Sequence, residues 1–216
     1  MPVETPVRRR RRVRRRPRLI PCLLALVAVL LVVKWIDPFA PGERPLPETP
    51  DWITVELLPL NEFSRPGTPL EEVNGIVIHY VGNPGTTAAQ NHSFFTNLAQ
   101  TGETYASSHF LVGLDGEVLQ NVPLNEVAYC SNQRNDDTIS IECCHPDETG
   151  KFYDSTYQTL VNLCAYLCVE FDLKPDDIIR HYDVTGKICP KYFVDHPEEW
   201  ETFHKDVKNA IRILKK

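Results

Sequence analysis

Acidic residues are nearly absent from the start of this 216-residue sequence. Residues 1–34 contain one Glu against nine Arg and one Lys, a balance of +9, whereas residues 35–216 contain 28 acidic and 13 basic side chains, a balance of −15. The formal net charge of −6 is therefore the sum of two parts that suit different surroundings. The acidic part would repel a phosphate backbone, which argues against nucleic acid as a partner.

Polar side chains are absent from residues 19–33, which follow the Arg-rich segment directly. A helix over this run would measure about 22 Å, or about 27 Å through residue 36, against about 30 Å of hydrocarbon in a bilayer. We therefore predict a transmembrane signal anchor at 19–36 and a basic cytoplasmic tail at 1–18, which leaves the C-terminal part outside the cell membrane. The alternatives are a cleaved signal peptide and a basic nucleic-acid-binding arm. No small-x-small cleavage site follows the apolar run, which favours the uncleaved anchor.

Residues 37–51 can form neither a helix nor an inner strand, because five of the fifteen positions are Pro. We predict a linker at 37–52 that lifts one folded domain, residues 53–216, off the bilayer. The composition of the chain, with 42% hydrophobic and 24% charged residues, is typical of a globular fold.

The predicted domain shows no internal repeat, and its strand and helix patterns alternate. Hydrophobic patterns predict strands at 53–58, 75–81, 107–112, 117–121 and 138–144. They also predict a helix capped by Thr86 or Thr87 and ended by Gly102, and helices at 154–171 and 197–214. This order predicts an α/β fold with a mixed central β-sheet flanked by helices.

A disulfide framework is not supported by the cysteines. Their number is seven, which is odd, and Cys22 lies in the predicted membrane segment. Cys143 and Cys144 are neighbours on a strand and point to opposite faces. We interpret most of the others as buried small hydrophobic residues.

Cys189 differs because of its surroundings. It shares the segment R-H-Y-D-V-T-G-K-I-C-P, residues 180–190, with His181, and imidazole and thiolate both bind Zn²⁺ well. His79 is a third candidate ligand, since it interrupts the apolar strand G-I-V-I-H-Y-V. A lone strand histidine is usually a hydrogen-bonded core residue, but that interpretation weakens when three such residues occur together.

Four segments carry a resemblance to a known family: G-I-V-I-H-Y-V-G-N-P-G-T, S-S-H-F-L-V-G-L-D-G-E-V-L-Q, D-T-I-S-I-E-C-C-H-P and R-H-Y-D-V-T-G-K-I-C-P. In this order they resemble the zinc-dependent N-acetylmuramoyl-L-alanine amidases of the phage-lysozyme and peptidoglycan-recognition-protein superfamily. The resemblance covers about residues 53–214. It implies hydrolysis of the amide between N-acetylmuramic acid and L-alanine, with peptidoglycan as the substrate of an outward-facing domain.

The resemblance also assigns roles to residues. It implies that His79, His181 and Cys189 hold Zn²⁺ and leave a fourth position for the attacking water, which the metal makes more acidic. Lys187 matches the family's position for stabilising the oxyanion, although a lysine in a loop is often only solvated.

Glu142 is the predicted general base, and then general acid, of this reaction. A carboxylate inside the apolar strand I-S-I-E-C-C is costly unless it faces a polar cleft, and the alternative is a surface glutamate on an edge strand. A subset of the resembled enzymes carries Glu here. Others carry a catalytic Tyr where this chain has Ser108, whose hydroxyl is too short to replace a phenol.

Two other functions remain open from the sequence. One is a non-catalytic peptidoglycan-binding or sensing module, although such family members commonly lack the Cys ligand. The other is a structural zinc site with a fourth protein ligand, for which Cys144 and His109 are candidates.

Several nearby polar residues have two interpretations. Asp183 either orients His181 or caps the following turn. His109 either lies near the cleft or is a structural imidazole. Asn83, Asn132 and Arg134 lie in predicted loops suited to contacts with sugar or peptide.

Overall fold

A computed structural model describes residues 46–216. The strands are β1 (Ile53–Val55), β2 (Gly75–Tyr80), β3 (Phe110–Val112), β4 (Val118–Gln120), β5 (Thr138–Cys143) and β6 (Ile178–Arg180). The helices are α1 (Ala88–Thr101), α2 (Asp154–Glu170), α3 (His181–Thr185), α4 (Lys191–Asp195) and α5 (Pro197–Leu214), with 3₁₀ turns at Asn132–Arg134 and Pro175–Asp177. The predicted tail at 1–18 and transmembrane helix at 19–36 lie outside the described residues.

The six strands form one mixed sheet in the order β1-β4-β3-β5-β2-β6. The pair β3–β4 is antiparallel and is joined by the short connection at residues 113–117, whereas the other pairs are parallel. The predicted α/β fold with a mixed central sheet and flanking helices is therefore confirmed.

Successive side chains along β2 and β5 point to opposite faces of the sheet. Ile78 and Ile141 pack in the main core beneath α2 and α5, whereas the intervening side chains point to the opposite face. Cys143 lies in the main core and Cys144 in the smaller core around α1, so the adjacent cysteines do occupy opposite faces. His79 and Glu142 belong to the face opposite the main core.

Local sequence signals set the ends of α1. The Thr87 side chain accepts a hydrogen bond from Gln90 N, and the Thr87 backbone N–H donates to Gln90 Oε1 at 2.9 Å, which forms a capping box. Gly102 ends the helix in the left-handed conformation with φ 58°. The predicted cap and stop are both confirmed.

The structure differs from the predicted elements in several places. β3 begins at Phe110 rather than at residue 107, and β6 has no predicted counterpart. β1 ends at Val55 rather than at residue 58. Glu56 N nevertheless donates to the last residue of β4, Gln120 O, at 3.0 Å, and Leu58 N donates to Asn121 O at 2.8 Å. The segment after β6, predicted only as a turn, contains the two short helices α3 and α4. Both are five residues long, so they carry too little periodicity to be seen in the sequence.

The end of the predicted linker contacts the domain. The Tyr166 hydroxyl donates to Glu48 O at 3.0 Å, and the Trp52 and Tyr166 rings meet edge to face. Within residues 46–216, none of the helices combines the length and apolar character needed to span a bilayer.

Candidate metal centre and acid–base site

The three predicted metal ligands come together at the carboxyl ends of two neighbouring parallel strands. Ile78 of β2 pairs with Arg180 of β6, so His79 and His181 are each the next residue after a paired position. His181 is the first residue of α3, which ends at Gly186 with φ 80°. The chain then turns back, and Tyr182 N donates to Cys189 O at 2.9 Å, which holds Cys189 beside the two rings.

Two imidazole nitrogens and one thiol sulfur converge in this cluster. His79 Nδ1 lies 3.1 Å from His181 Nδ1 and 3.9 Å from Cys189 Sγ. The three ligand atoms all lie within 4.8 Å of one another, and the residues are 1%, 6% and 2% exposed. The set of two nitrogens and one sulfur is one that Zn²⁺ prefers, so this is a possible metal-binding group with room for a fourth ligand.

Electrostatics keep both rings in the form that binds a metal. Burial lowers the pKa of His79 well below its ordinary value, and the charges of His181 and Lys187 lower it further. Burial also lowers the pKa of His181, again with a contribution from Lys187. Both imidazoles are therefore neutral at pH 7, with a lone pair available for a cation. Burial and the nearby Glu142 raise the pKa of the Cys189 thiol to about 12, so the thiolate needs a cation beside it.

Glu142 stands directly across from His79, because the two residues are register partners in β5 and β2. Its carboxylate, a ring nitrogen of His79 and the Cys130 sulfur lie within 4.8 Å of one another. Cys130 Sγ donates to Glu142 Oε1 at 3.5 Å, whereas Oε2 is buried without a hydrogen-bond partner. Burial raises the pKa of Glu142 to about 8, against smaller lowering effects of Cys130 and Lys187. β5 lies inside the sheet, so Glu142 is not a surface residue of an edge strand.

Lys187 lies in the exposed loop between Gly186 and Cys189. Its charge contributes to the pKa shifts of His79, His181 and Glu142, so the ammonium group acts on the same pocket as these three residues. A flexible cation at the rim can reach a negative charge that develops on a bound substrate.

His109 and Cys144, the two residues considered as a fourth ligand of a structural zinc, do not join the cluster of metal ligands. His109 Nδ1 bonds Ser140 Oγ at 3.0 Å and its Nε2 bonds Glu126 O at 2.9 Å, so it is a structural imidazole. Cys144 packs in the smaller core. Among residues 46–216, neither belongs to a group of converging metal ligands. Ser108 is also buried away from the cluster and donates to Phe110 O at 2.9 Å.

Asp183 caps α3 rather than orienting His181. Its Oδ2 accepts from Arg180 N at 2.9 Å, and the two side chains form a salt bridge of 2.7 Å. Asn132 instead contacts His181 Nε2, the ring nitrogen that is not among the converging ligand atoms. The sequence suggested Asn132 only as a loop residue suited to contacts with substrate. Of the other predicted substrate contacts, Arg134 pairs with Asp137 at 2.7 Å, while Asn83 is exposed in the loop after β2.

Sequence comparison assigns the chain to a family. Residues 69–192 match the family described as N-acetylmuramoyl-L-alanine amidase. The chain belongs to the N-acetylmuramoyl-L-alanine amidase family. It is 34% identical over 176 residues to the N-acetylmuramoyl-L-alanine amidase BlyA of Bacillus subtilis strain 168, a match covering 72% of this chain and 46% of BlyA. It is also 34% identical over 165 residues to CwlL of Bacillus licheniformis, covering 70% of this chain and 45% of CwlL. This amidase-family chain thus spans about half the length of these curated relatives.

Solved structures share the fold of this amidase-family chain. The catalytic domain of XlyA is 25% identical with a TM-score of 0.61, and the match covers 72% of this chain and 98% of that domain. The PlyG catalytic domain, solved in solution, is 22% identical with a TM-score of 0.62, covering 74% of this chain and 94% of that domain, which supports the fold alone.

Proposed function

We propose that this chain hydrolyses the amide bond between N-acetylmuramic acid and L-alanine in peptidoglycan. The observation that carries the proposal is that Glu142, with a free carboxylate oxygen, lies beside His79 of the cluster formed by His79, His181 and Cys189. Membership of the amidase family supports the choice of amide bond.

Zn²⁺ is the metal that we assign to the cluster. His79 and His181 would bind through Nδ1 and Cys189 through its sulfur, since these are the atoms that converge. Bound in a three-ligand site, zinc supplies a Lewis acid and a water of pKa about 7. These three protein ligands would leave one position of a tetrahedral zinc for solvent or substrate.

Glu142 would move the proton that the reaction requires. As a carboxylate it accepts a proton from the attacking water, and as a carboxylic acid it returns that proton to the leaving amine of L-alanine. Its pKa of about 8 lies close to neutral pH, where one group can serve in both forms. Lys187 would stabilise the negative charge that develops on the carbonyl oxygen.

The membrane location is part of the proposal. The basic run and apolar segment at 1–36 favour a single-pass anchor with the described domain on the outer side, where peptidoglycan lies. Labelling of intact cells with a membrane-impermeant, amine-reactive biotin reagent, followed by capture of the chain, tests this orientation, because the described domain has exposed lysines such as Lys151.

The enzymatic test compares purified full-length chain with Glu142→Gln, Lys187→Met and Cys189→Ala. Each chain is assayed for bound zinc and for new L-alanine amino groups released from purified peptidoglycan. We expect Glu142→Gln and Lys187→Met to keep zinc but lose about 100-fold or more in rate, and Cys189→Ala to lose zinc and activity together. Glu148→Gln changes an exposed glutamate outside the pocket and serves as the matched control.

Two outcomes would contradict the proposal. Full activity of Glu142→Gln would remove Glu142 from the chemistry. A wild-type chain that binds peptidoglycan and zinc but produces no new L-alanine amino groups would instead be a wall-binding module.

A further inference from the structure

We propose that Ser131 and Asn132 are positioning residues that hold the two imidazoles in the tautomer and orientation needed for metal binding. The inference rests on the proposed metal site. It concerns the turn formed by residues 130–135, which precedes β5 and to which the sequence pattern assigned no role in the metal centre. The contacts concerned are those made by Nε2 of His79 and Nε2 of His181, the ring nitrogens that are not among the converging ligand atoms.

Asn132 fixes the tautomer of His181. Although Asn132 lies on the surface, its Oδ1 sits 2.7 Å from His181 Nε2. An amide oxygen only accepts hydrogen bonds, so a neutral His181 carries its proton on Nε2. The lone pair is then left on Nδ1, which is the atom that faces His79.

Ser131 does the same for His79. Its Oγ lies 3.1 Å from His79 Nε2, and the serine is 1% exposed, so no solvent competes for the contact. A hydroxyl can accept the Nε2 proton and thereby leave Nδ1 of His79 free for a cation. Two consecutive residues therefore hold two ligands that lie 102 positions apart in the chain.

The turn is itself held rigidly against both ligand elements. Asn135 Oδ1 accepts from Cys130 N at 3.1 Å and from Ser131 N at 2.6 Å. Gln133 Nε2 donates to Val184 O of α3 at 2.8 Å, which ties the turn to the helix that begins with His181. Such a support restricts the rotation of both rings without occupying a coordination position.

Asn132 also has a backbone role that must be separated from its side-chain role. Its φ is 55°, in the left-handed region that Asn and Gly adopt most readily. Asn132→Gly keeps this backbone conformation and deletes the amide, whereas Asn132→Asp keeps an oxygen acceptor in nearly the same volume. If Asn132 only formed the turn, the Gly variant would bind metal normally.

The test measures zinc affinity in the full-length chain, purified in detergent and stripped of metal. Zinc is titrated at neutral pH in competition with a chromophoric chelator, for wild type, Asn132→Gly, Asn132→Asp and Ser131→Ala. We expect the Kd for zinc to rise by about 10- to 100-fold in Asn132→Gly and in Ser131→Ala, and to stay within a few-fold of wild type in Asn132→Asp. Cobalt(II) absorption should shift in the two weakened variants, because the ring orientations change.

Unfolding is monitored beside each titration by circular dichroism, and affinities are compared for folded chains only. Wild-type affinity in both Asn132→Gly and Ser131→Ala would overturn the inference, as would equal losses in Asn132→Gly and Asn132→Asp. A chain whose zinc affinity follows the expected order but which does not cleave peptidoglycan would retain this inference and refute the proposed activity. A wild-type chain that binds no zinc would refute both.

Discussion

Removing the charge of Glu142 should stabilise the metal-free protein at alkaline pH. Glu142 Oε2 is buried without a hydrogen-bond partner, and burial raises the pKa of this carboxyl from its ordinary value of 4.5 to about 8. Such a group is tolerated when protonated and costly when ionised, because a buried carboxylate loses its hydration. Glu142→Gln keeps the shape of the side chain and cannot ionise.

The direction in which the free energy of unfolding changes with pH follows from proton binding. Between pH 4.5 and about 8 the folded state holds the Glu142 proton and the unfolded state releases it, so the free energy of unfolding falls as pH rises and the loss is complete above about 8. A shift from 4.5 to about 8 corresponds to an upper limit of about 5 kcal/mol. Glu142→Gln should therefore unfold with nearly wild-type free energy at about pH 5 and with several kcal/mol more at about pH 9.

Urea unfolding of the zinc-free chains, followed by tryptophan fluorescence with chelator and reductant present, measures this difference. The comparison is between two pH values for each variant, so a constant effect of losing the Cys130 contact cancels. Glu148→Gln, which changes a surface residue and leaves Glu142 intact, should follow the wild-type pH dependence. A constant difference between Glu142→Gln and wild type from about pH 5 to about pH 9 would mean that Glu142 is not desolvated, and the reasoning for its acid–base role would fail.

Two further predictions concern the scaffold. Thr87→Ala should lower the free energy of unfolding by about 1 kcal/mol, because it removes the side-chain acceptor of the α1 capping box. Thr101→Ala, at an exposed threonine in the last position of the same helix, is the control, and urea midpoints measure both. Gly116→Ala should cost more than about 1 kcal/mol, since φ is +85° and the added Cβ would lie 2.8 Å from Thr159 Oγ1 and 3.0 Å from Ser155 O. Gly82→Ala, with no atom within 4 Å of the added Cβ, should cost much less, and equal midpoints for these two glycine variants would contradict the steric argument.

The long, strongly patterned elements could be predicted from the sequence. β2 and β5 are apolar and β-branched, and α2 and α5 present apolar stripes, so their bounds agree with the prediction to about one residue. β6 has three residues and was not predicted. A segment of that length has no measurable period, and its strand conformation comes from pairing with β2.

The inner residues of the site could be predicted because they are chemically unusual where they stand. A histidine or glutamate within an apolar strand is conspicuous, as His79 and Glu142 are. The supporting residues carry no such signal, since Ser131 and Asn132 lie in the polar run C-S-N-Q-R-N-D-D, which reads as any exposed turn.

Other histidines show the same limitation. His145 follows β5 in the segment E-C-C-H-P, where nothing in the sequence predicts burial, yet it is 2% exposed and its Nε2 bonds Val81 O at 2.9 Å. One ring nitrogen contacts Val81 O, 64 positions earlier at the end of β2, and the other contacts Asp147 O in the neighbouring loop. The contact with Val81 depends on the order of strands in the sheet, which the sequence does not specify locally.

The register of the sheet joins the core to the chemistry. Ile78 and Ile141 pack in the main core while His79 and Glu142, one position further along β2 and β5, face the opposite side. A slip of one residue in β5 would turn Glu142 into the core and expel Ile141, at a cost of several kcal/mol. A slip of two residues would keep the faces but move Glu142 about 7 Å along the strand, away from His79. Apolar packing opposes the slip of one residue, and the hydrogen-bonded strand ends oppose the slip of two. The same interactions therefore place the Glu142 carboxylate beside the metal ligands.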